Sequence, residues 1–127
     1  MVQILQDGAL RTLVCVTAQK TCERLIRAGS EAARGAEMCV VHVAPMGSQL
    51  LDGTDDAQTL AFLYKIVRSY DAELTVEHND RPLAAIVTHA RRINAQCVVV
   101  GSSGTPGEPF ASKLRELLPE VDVIVVR

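Results

Sequence analysis

Hydrophobic residues along this chain fall into two patterns that follow each other in turn. Short uninterrupted apolar runs are typical of strands covered on both faces, and apolar residues spaced three or four apart are typical of amphipathic helices. The first pattern predicts strands over residues 12–17, 38–43, 73–78, 97–100 and 121–127. The second predicts helices whose apolar faces span residues 22–36, 60–70, 83–93 and 110–118.

The strict alternation of strands and helices predicts an α/β protein. Because crossovers between parallel strands are right-handed, the product is an open five-stranded parallel sheet with helices on both faces. Polar and apolar residues alternate in 73–78, which predicts a strand near an edge with one exposed face. The first helix has small residues, including Gly29 and Ala33, on its apolar side, so we expect it to pack close to the sheet.

Length and composition favour one domain and exclude several classes of protein. The 127 residues, 48% of them hydrophobic, suit a single domain over 1–127, with residues 1–10 interpreted as a flexible lead-in. Lys and Arg total 13 against 15 acidic residues and aromatics are 3%, which argues against a nucleic-acid partner. No apolar run is long enough to cross a membrane and no secretory signal is visible, so we expect a cytoplasmic protein without direct membrane insertion.

The residue types that often carry catalysis lack the required spacing. The four cysteines have no C-x-x-C pair and are interpreted as reduced thiols in regular elements, with Cys22 near a helix start the candidate for a lowered thiol pKa. The three histidines have no metal-ligand spacing, and no Gly-x-Ser-x-Gly elbow surrounds Ser102 or Ser103. No catalytic or metal residue is predicted, and the expectation is a protein that is not an enzyme.

A turn after the fourth predicted strand is the first candidate for a binding site. The apolar run 97–100 leads directly into Gly101-Ser102-Ser103-Gly104. Ligands of parallel sheets bind beyond the carboxyl ends of the strands, where glycines let backbone N–H groups approach an anion.

Two stretches resemble universal stress proteins. Residues 13–17 through 41–45 look like the opening strand, helix and "LLHV" strand of that family, and residues 85–90 through 99–104 resemble its "AI…A…A…VVGS.G" block. The resemblance implies an adenine nucleotide alpha hydrolase-like fold with strand order 3-2-1-4-5. Within the family, residues 23–27 look like the stress-protein module of Kdp-type potassium-sensor histidine kinases, which implies a sensor-kinase context.

The nucleotide-binding motif of the family is only half matched. Nucleotide-binding members carry G-x2-G-x9-G-[ST], in which Gly101 and Gly104 match the first half, while Ser112 is a displaced counterpart of the second. Thr17 stands where these relatives usually have an aspartate, and a threonine cannot replace a carboxylate that accepts from two groups. The resemblance implies weak binding of an adenine nucleotide, ATP or AMP. The implied binding residues are Thr17, Val43, Gly101, Ser102, Gly104 and Ser112.

The expected function is therefore a sensory or regulatory module of the stress response. One alternative is an interaction module with an empty cleft. Another is a phosphoacceptor receiver domain, although residues 17–19 lack the acids that receivers use to hold Mg²⁺. We also expect a homodimer through the closing strand Val121–Arg127, where Val121, Val123 and Val125 would form an exposed apolar rim.

Overall fold

The computed structural model describes residues 11–16, 22–34, 37–44 and 54–127. The predicted lead-in 1–10 and the predicted strand residue Thr17 lie outside this part of the chain. The strands are β1 (Arg11–Val16), β2 (Glu37–Ala44), β3 (Glu73–His78), β4 (Cys97–Gly101) and β5 (Asp122–Val126). The helices are α1 (Cys22–Ala33), α2 (Thr54–Ser69), α3 (Pro82–Arg92) and α4 (Pro109–Leu117).

The five strands form one parallel sheet in the order β3-β2-β1-β4-β5. This confirms the predicted fold class. The chain builds the sheet outwards from β1 to β3 and then returns to the other side of β1, where Thr12, Leu13 and Val14 pair with Cys97, Val98 and Val99. The switch point therefore lies between β1 and β4. The flavodoxin-like order 2-1-3-4-5 differs, which counts against a receiver domain.

Two hydrophobic layers cover the sheet because successive strand residues point to opposite faces. In β4, Val98 and Val100 pack with α3 and α4, whereas Val99 packs with α1 and α2. All three valines are almost completely buried. This two-sided burial is the reason that β4 reads as a continuous apolar run rather than an alternating one.

Helix α3 starts and ends on local signals that the sequence carries. Pro82 occupies the first turn, where its missing N–H costs no hydrogen bond. Asn94 adopts the left-handed conformation (φ 58°) after the last turn, as predicted. The Oδ1 atom of Asn79 accepts a hydrogen bond from the N–H of Arg81 at 2.8 Å, and therefore forms a turn before the helix instead of capping it.

The two edge strands are β3 and β5, and they differ in how they are covered. β3 alternates exposed and half-buried residues over most of its length, as predicted for an edge. In β5, Val123 is buried and Val125 packs against the core, as does Val121 just before the strand, so the prediction that these valines form an exposed rim is wrong. The reason is α4, whose Leu114 lies in the same cluster and covers this face of the strand.

Candidate functional site: a cleft at the carboxyl ends of the strands

A cleft of about 550 Å³ opens at the carboxyl ends of β1, β2 and β4. It lies beside the switch point, which is where open parallel sheets bind ligands. Its volume is in the range of pockets for small organic molecules. The strands line it with Cys15, Val16, Val41, Val43, Val100 and Gly101.

The walls of this cleft are mostly apolar. Helices α1, α3 and α4 add Leu25, Ile86 and Phe110 to the strand residues, and the polar side chains among the lining residues are Ser102 and Ser103. Such a surface favours a flat, uncharged ring that is removed from water on both sides. Hydrogen-bonding specificity has to come from backbone groups and from the loop that follows β4.

That loop turns through two left-handed glycines before α4 begins. Ser102 N–H donates to the carbonyl of Val126 at 2.8 Å, so the loop leaves the sheet beside the end of β5. Gly104 and Gly107 have φ values of 78° and 84°, a region in which a side chain is strained. These glycines let the chain fold back, so that Glu108 comes to lie beside Ser102 and Ser103.

The Glu108 carboxylate is held by three donors of the loop. Ser102 Oγ donates to one carboxylate oxygen at 2.5 Å, and the N–H of Ser103 donates to the other at 2.9 Å. Ser103 Oγ donates to that second oxygen at 3.3 Å. These hydrogen bonds, with a smaller contribution from the charge of Arg127, lower the pKa of Glu108 below its usual range. The loop therefore carries a negative charge at neutral pH.

The structure brings together three of the six residues that the sequence proposed for binding. Val43, Gly101 and Ser102 all line the cleft. Gly104 lies on the exposed part of the loop, and Ser112 Oγ donates to the carbonyl of Gly107 at 3.0 Å; neither residue is among those that line the cleft. Thr17 lies outside the described residues.

The remaining wall residues and Glu108 were not predicted from the sequence. The place of Cys15 in the cleft wall could have been predicted, because Cys15 lies near the end of the first predicted strand, between the buried Val14 and Val16. Glu108 carries a weaker signal, an acid directly before the proline that starts a helix. Its contact with Ser102 depends on the left-handed turn between them, which the sequence does not specify.

The thiols of Cys15, in the wall of the cleft, and of Cys22, at the start of α1, are protonated at neutral pH. Burial raises the pKa of Cys15 to about 12. Burial, with the neighbouring charge of Glu23 second, also raises the pKa of Cys22, so the prediction of a lowered pKa there is wrong. The helix start does not compensate, because the Cys22 side chain is almost completely removed from water.

The histidines make no metal site in the described part of the chain, where no group of three candidate ligands occurs. The Nδ1 atom of His42 lies 3.1 Å from the carbonyl oxygen of Val16 and helps to fix the end of β1 beside β2. His89 is buried on α3, where burial first and Arg92 second lower its pKa. Among the described helices, none combines the length and the apolarity that crossing a membrane requires.

Comparison with solved structures shows a consistent set of neighbours. A universal stress protein from Archaeoglobus fulgidus matches with a TM-score of 0.67 and 24% identity, over 100% of both chains. A universal stress protein from the same organism in complex with dAMP matches at 0.61 and 25% identity, over 93% of this chain and 98% of that one. A universal stress protein family protein from Arabidopsis thaliana with AMP bound matches at 0.59 and 17% identity, over 92% of this chain and 90% of that one.

These similarities show that the chain has the fold of universal stress proteins. No protein-family model matches the sequence, and no curated protein matches it.

Proposed function

We propose that this protein is a regulatory module that binds a small adenine-containing ligand in the cleft beside the switch point. The observation that carries the proposal is the position and character of the cleft. It is apolar and lies at the carboxyl ends of β1, β2 and β4. Structural neighbours of the same fold include complexes with dAMP and AMP.

The cleft suits the base better than it suits a phosphate chain. Val41, Val43 and Ile86 offer apolar surface to a planar ring, and burial of such a ring contributes about 25 cal/mol for each Å² of apolar surface removed from water. The loop after β4 offers few free donors, since Glu108 already accepts from Ser102 and Ser103. Adenine nucleotides are therefore expected to bind weakly.

A non-catalytic role is consistent with the side chains that surround this cleft. Cys15, the thiol in its wall, is protonated at neutral pH. Ser102 donates its hydrogen bond to Glu108, whose pKa is lowered by its donors, so this carboxylate is a weak base. We therefore propose a sensory function in which occupancy of the cleft is the signal. The cytoplasmic sensor-kinase context implied by residues 23–27 belongs to the same proposal.

Filling the cleft with a large side chain is expected to remove ligand binding. Val43→Trp, on β2, places an indole where the ring of the ligand would lie. In calorimetric titrations with adenosine, AMP and ATP, this substitution should weaken binding at least tenfold, about 1.4 kcal/mol. Thr75→Trp is the matched control, because it adds the same side chain at an exposed position of the neighbouring strand β3.

Thermal unfolding of both variants checks that each of them is folded. If the unsubstituted protein gives neither binding heat nor thermal stabilisation with any of the three ligands at millimolar concentration, the proposal of an adenine site is wrong. Equal binding by the Val43→Trp variant would place the ligand elsewhere on the protein.

A second proposed function is self-association, and it is supported by the free edge of β5. The N–H of Asp122 donates to the carbonyl of Gln96, and the carbonyl of Val126 accepts from the N–H of Ser102. The backbone groups of Asp122 and Val126 therefore point towards β4. Alternation along the strand turns the backbone groups of Val123 and Val125 towards the outer edge. This edge can pair with the same strand of a second copy.

Val125→Pro is expected to abolish such a homodimer. Proline removes the outward N–H and leaves the hydrogen bonds to β4 intact, which edge strands tolerate. Val125→Ala is the control, because it shortens the side chain and keeps the N–H. Sedimentation velocity over a concentration series should show dimers for the unsubstituted chain and the alanine variant, and monomers for the proline variant. A chain that stays monomeric at every micromolar concentration would contradict the proposal.

A further inference from the structure

Three successive N–H groups of the loop after β4, those of residues 103–105, donate to side chains of the loop itself. The N–H of Ser103 donates to Glu108. The next two N–H groups, those of Gly104 and Thr105, donate to Ser102 Oγ and Ser103 Oγ, each at 3.2 Å. Successive backbone N–H groups in a left-handed turn form a concavity that binds anions. In this loop the Ser103 N–H binds the carboxylate of Glu108, and the other two N–H groups are taken by serine hydroxyls.

Glu108 is well suited to occupy such a position. Its two carboxylate oxygens accept separately from Ser102 Oγ and from the Ser103 N–H, as two oxygens of a phosphate would. Its own backbone is left-handed (φ 46°), a conformation that is unfavourable for glutamate. The hydrogen bonds of the carboxylate hold the residue in this conformation at the start of α4.

The position of this carboxylate matters because Ser102 and Ser103 also line the cleft. A ligand whose ring lies between Val43 and Ile86 and whose phosphate extends towards the loop would meet donors that are already bonded. The phosphate would also bring a second negative charge next to the Glu108 carboxylate, and two like charges that lie close together repel each other. A ligand that ends in a hydroxyl group brings no second charge and, because its O–H can donate, does not require a free donor of the loop.

We propose that Glu108 occupies the anion position of this cleft and so makes the site select a nucleoside over the corresponding nucleotide. The choice of adenine rests on the function proposed above, whereas the exclusion of phosphate by Glu108 stands on the loop geometry alone. The carboxylate acts as a specificity-determining residue, because it penalises the charged ligand and leaves the neutral one unaffected.

The test compares adenosine, AMP and inorganic phosphate as probes of two variants. Glu108→Gln keeps the length of the side chain and one acceptor oxygen but removes the charge. Glu120→Gln, in the exposed turn before β5 and so at the opposite end of the sheet, makes the same change in net charge. Titration calorimetry gives the affinities, and amide chemical shifts of Ser103 and Gly104 report on the loop directly.

The unsubstituted protein is expected to bind adenosine at least tenfold more tightly than AMP. Glu108→Gln should reduce this preference to threefold or less by strengthening AMP binding, while Glu120→Gln should leave the preference unchanged. An adenosine preference that persists in the Glu108→Gln variant would overturn the proposal and leave the adenine site intact. So would an unsubstituted protein that prefers AMP.

Inorganic phosphate separates this proposal from the proposed function. If neither adenosine nor AMP binds any form of the protein, the adenine site is wrong, and the phosphate titration still decides the role of Glu108. Phosphate-dependent shifts of the Ser103 and Gly104 amides in Glu108→Gln, absent from the unsubstituted protein and from Glu120→Gln, would support the proposal. Equal shifts in all three proteins, or none in any, would overturn it.

Discussion

Replacing Gly29 by alanine is expected to lower the free energy of unfolding by about 3 kcal/mol. A Cβ atom at this position would lie 2.2 Å from Cγ2 of Val14 and 3.2 Å from Sδ of Met38. The methionine sulfur can move, but the valine belongs to β1 in the middle of the sheet and is completely buried. Helix α1 must therefore shift away from the sheet to accommodate one methyl group.

Helix propensity alone predicts the opposite sign. Alanine stabilises the interior of a helix by about 1 kcal/mol relative to glycine. At Gly29 the steric overlap outweighs this gain, because α1 packs on two strands at the same point. Glu31→Ala, at an exposed position of the same helix, lacks the overlap and is the control. Denaturant unfolding at equilibrium measures both variants.

A double-substitution cycle identifies the contact that is responsible. Val14→Ala removes the methyl groups that a new Cβ would meet, so Gly29→Ala should cost much less in the Val14→Ala background. If Gly29→Ala stabilises the unsubstituted protein, or costs the same in both backgrounds, α1 does not approach β1 as closely as described.

Gly29 also shows which parts of the fold can be predicted from the sequence. The small residues on one side of α1 predicted close packing on the sheet, and the distance to Val14 confirms it. Apolar runs and helical spacing predicted every strand and helix of the described chain. A strand buried on both faces has a continuous apolar run, and a helix buried on one face has apolar residues three or four apart, so both are visible in the sequence. The order of the strands came from the resemblance, since the alternation of elements alone does not specify it.

The candidate site was predicted less completely, for reasons that particular residues make clear. Val43, Gly101 and Ser102 lie at the ends of strands, and a strand end is visible in the sequence. Whether Val123 is exposed depends on which helix covers β5, and that is a tertiary property. Glu108 reaches Ser102 only because the chain between them turns through Gly104 and Gly107. Such a contact depends on the three-dimensional path of the loop, which no local sequence pattern specifies.

The thiol of Cys15 is expected to react with iodoacetamide about 1,000-fold more slowly than an ordinary cysteine at pH 8. Burial raises its pKa from 9.0 to about 12, and the thiolate is the reactive form. Below both values, a shift of about three units lowers the thiolate fraction about 1,000-fold. The reaction should accelerate about tenfold for each pH unit between 8 and 11, because the thiol is still protonated over this range.

Mass spectrometry of tryptic peptides measures this rate separately for each cysteine, because cleavage after Arg11 and Lys20 places Cys15 alone in the peptide 12–20. Unfolding in guanidinium is the control, since it exposes the thiol to water and should restore an ordinary rate. Rapid labelling of the folded protein at pH 8 would show that water and small reagents solvate the wall of the cleft at Cys15. A slow rate would mean that this wall is apolar on the side where a ring would lie, which is the property on which the proposed binding of an adenine ring depends.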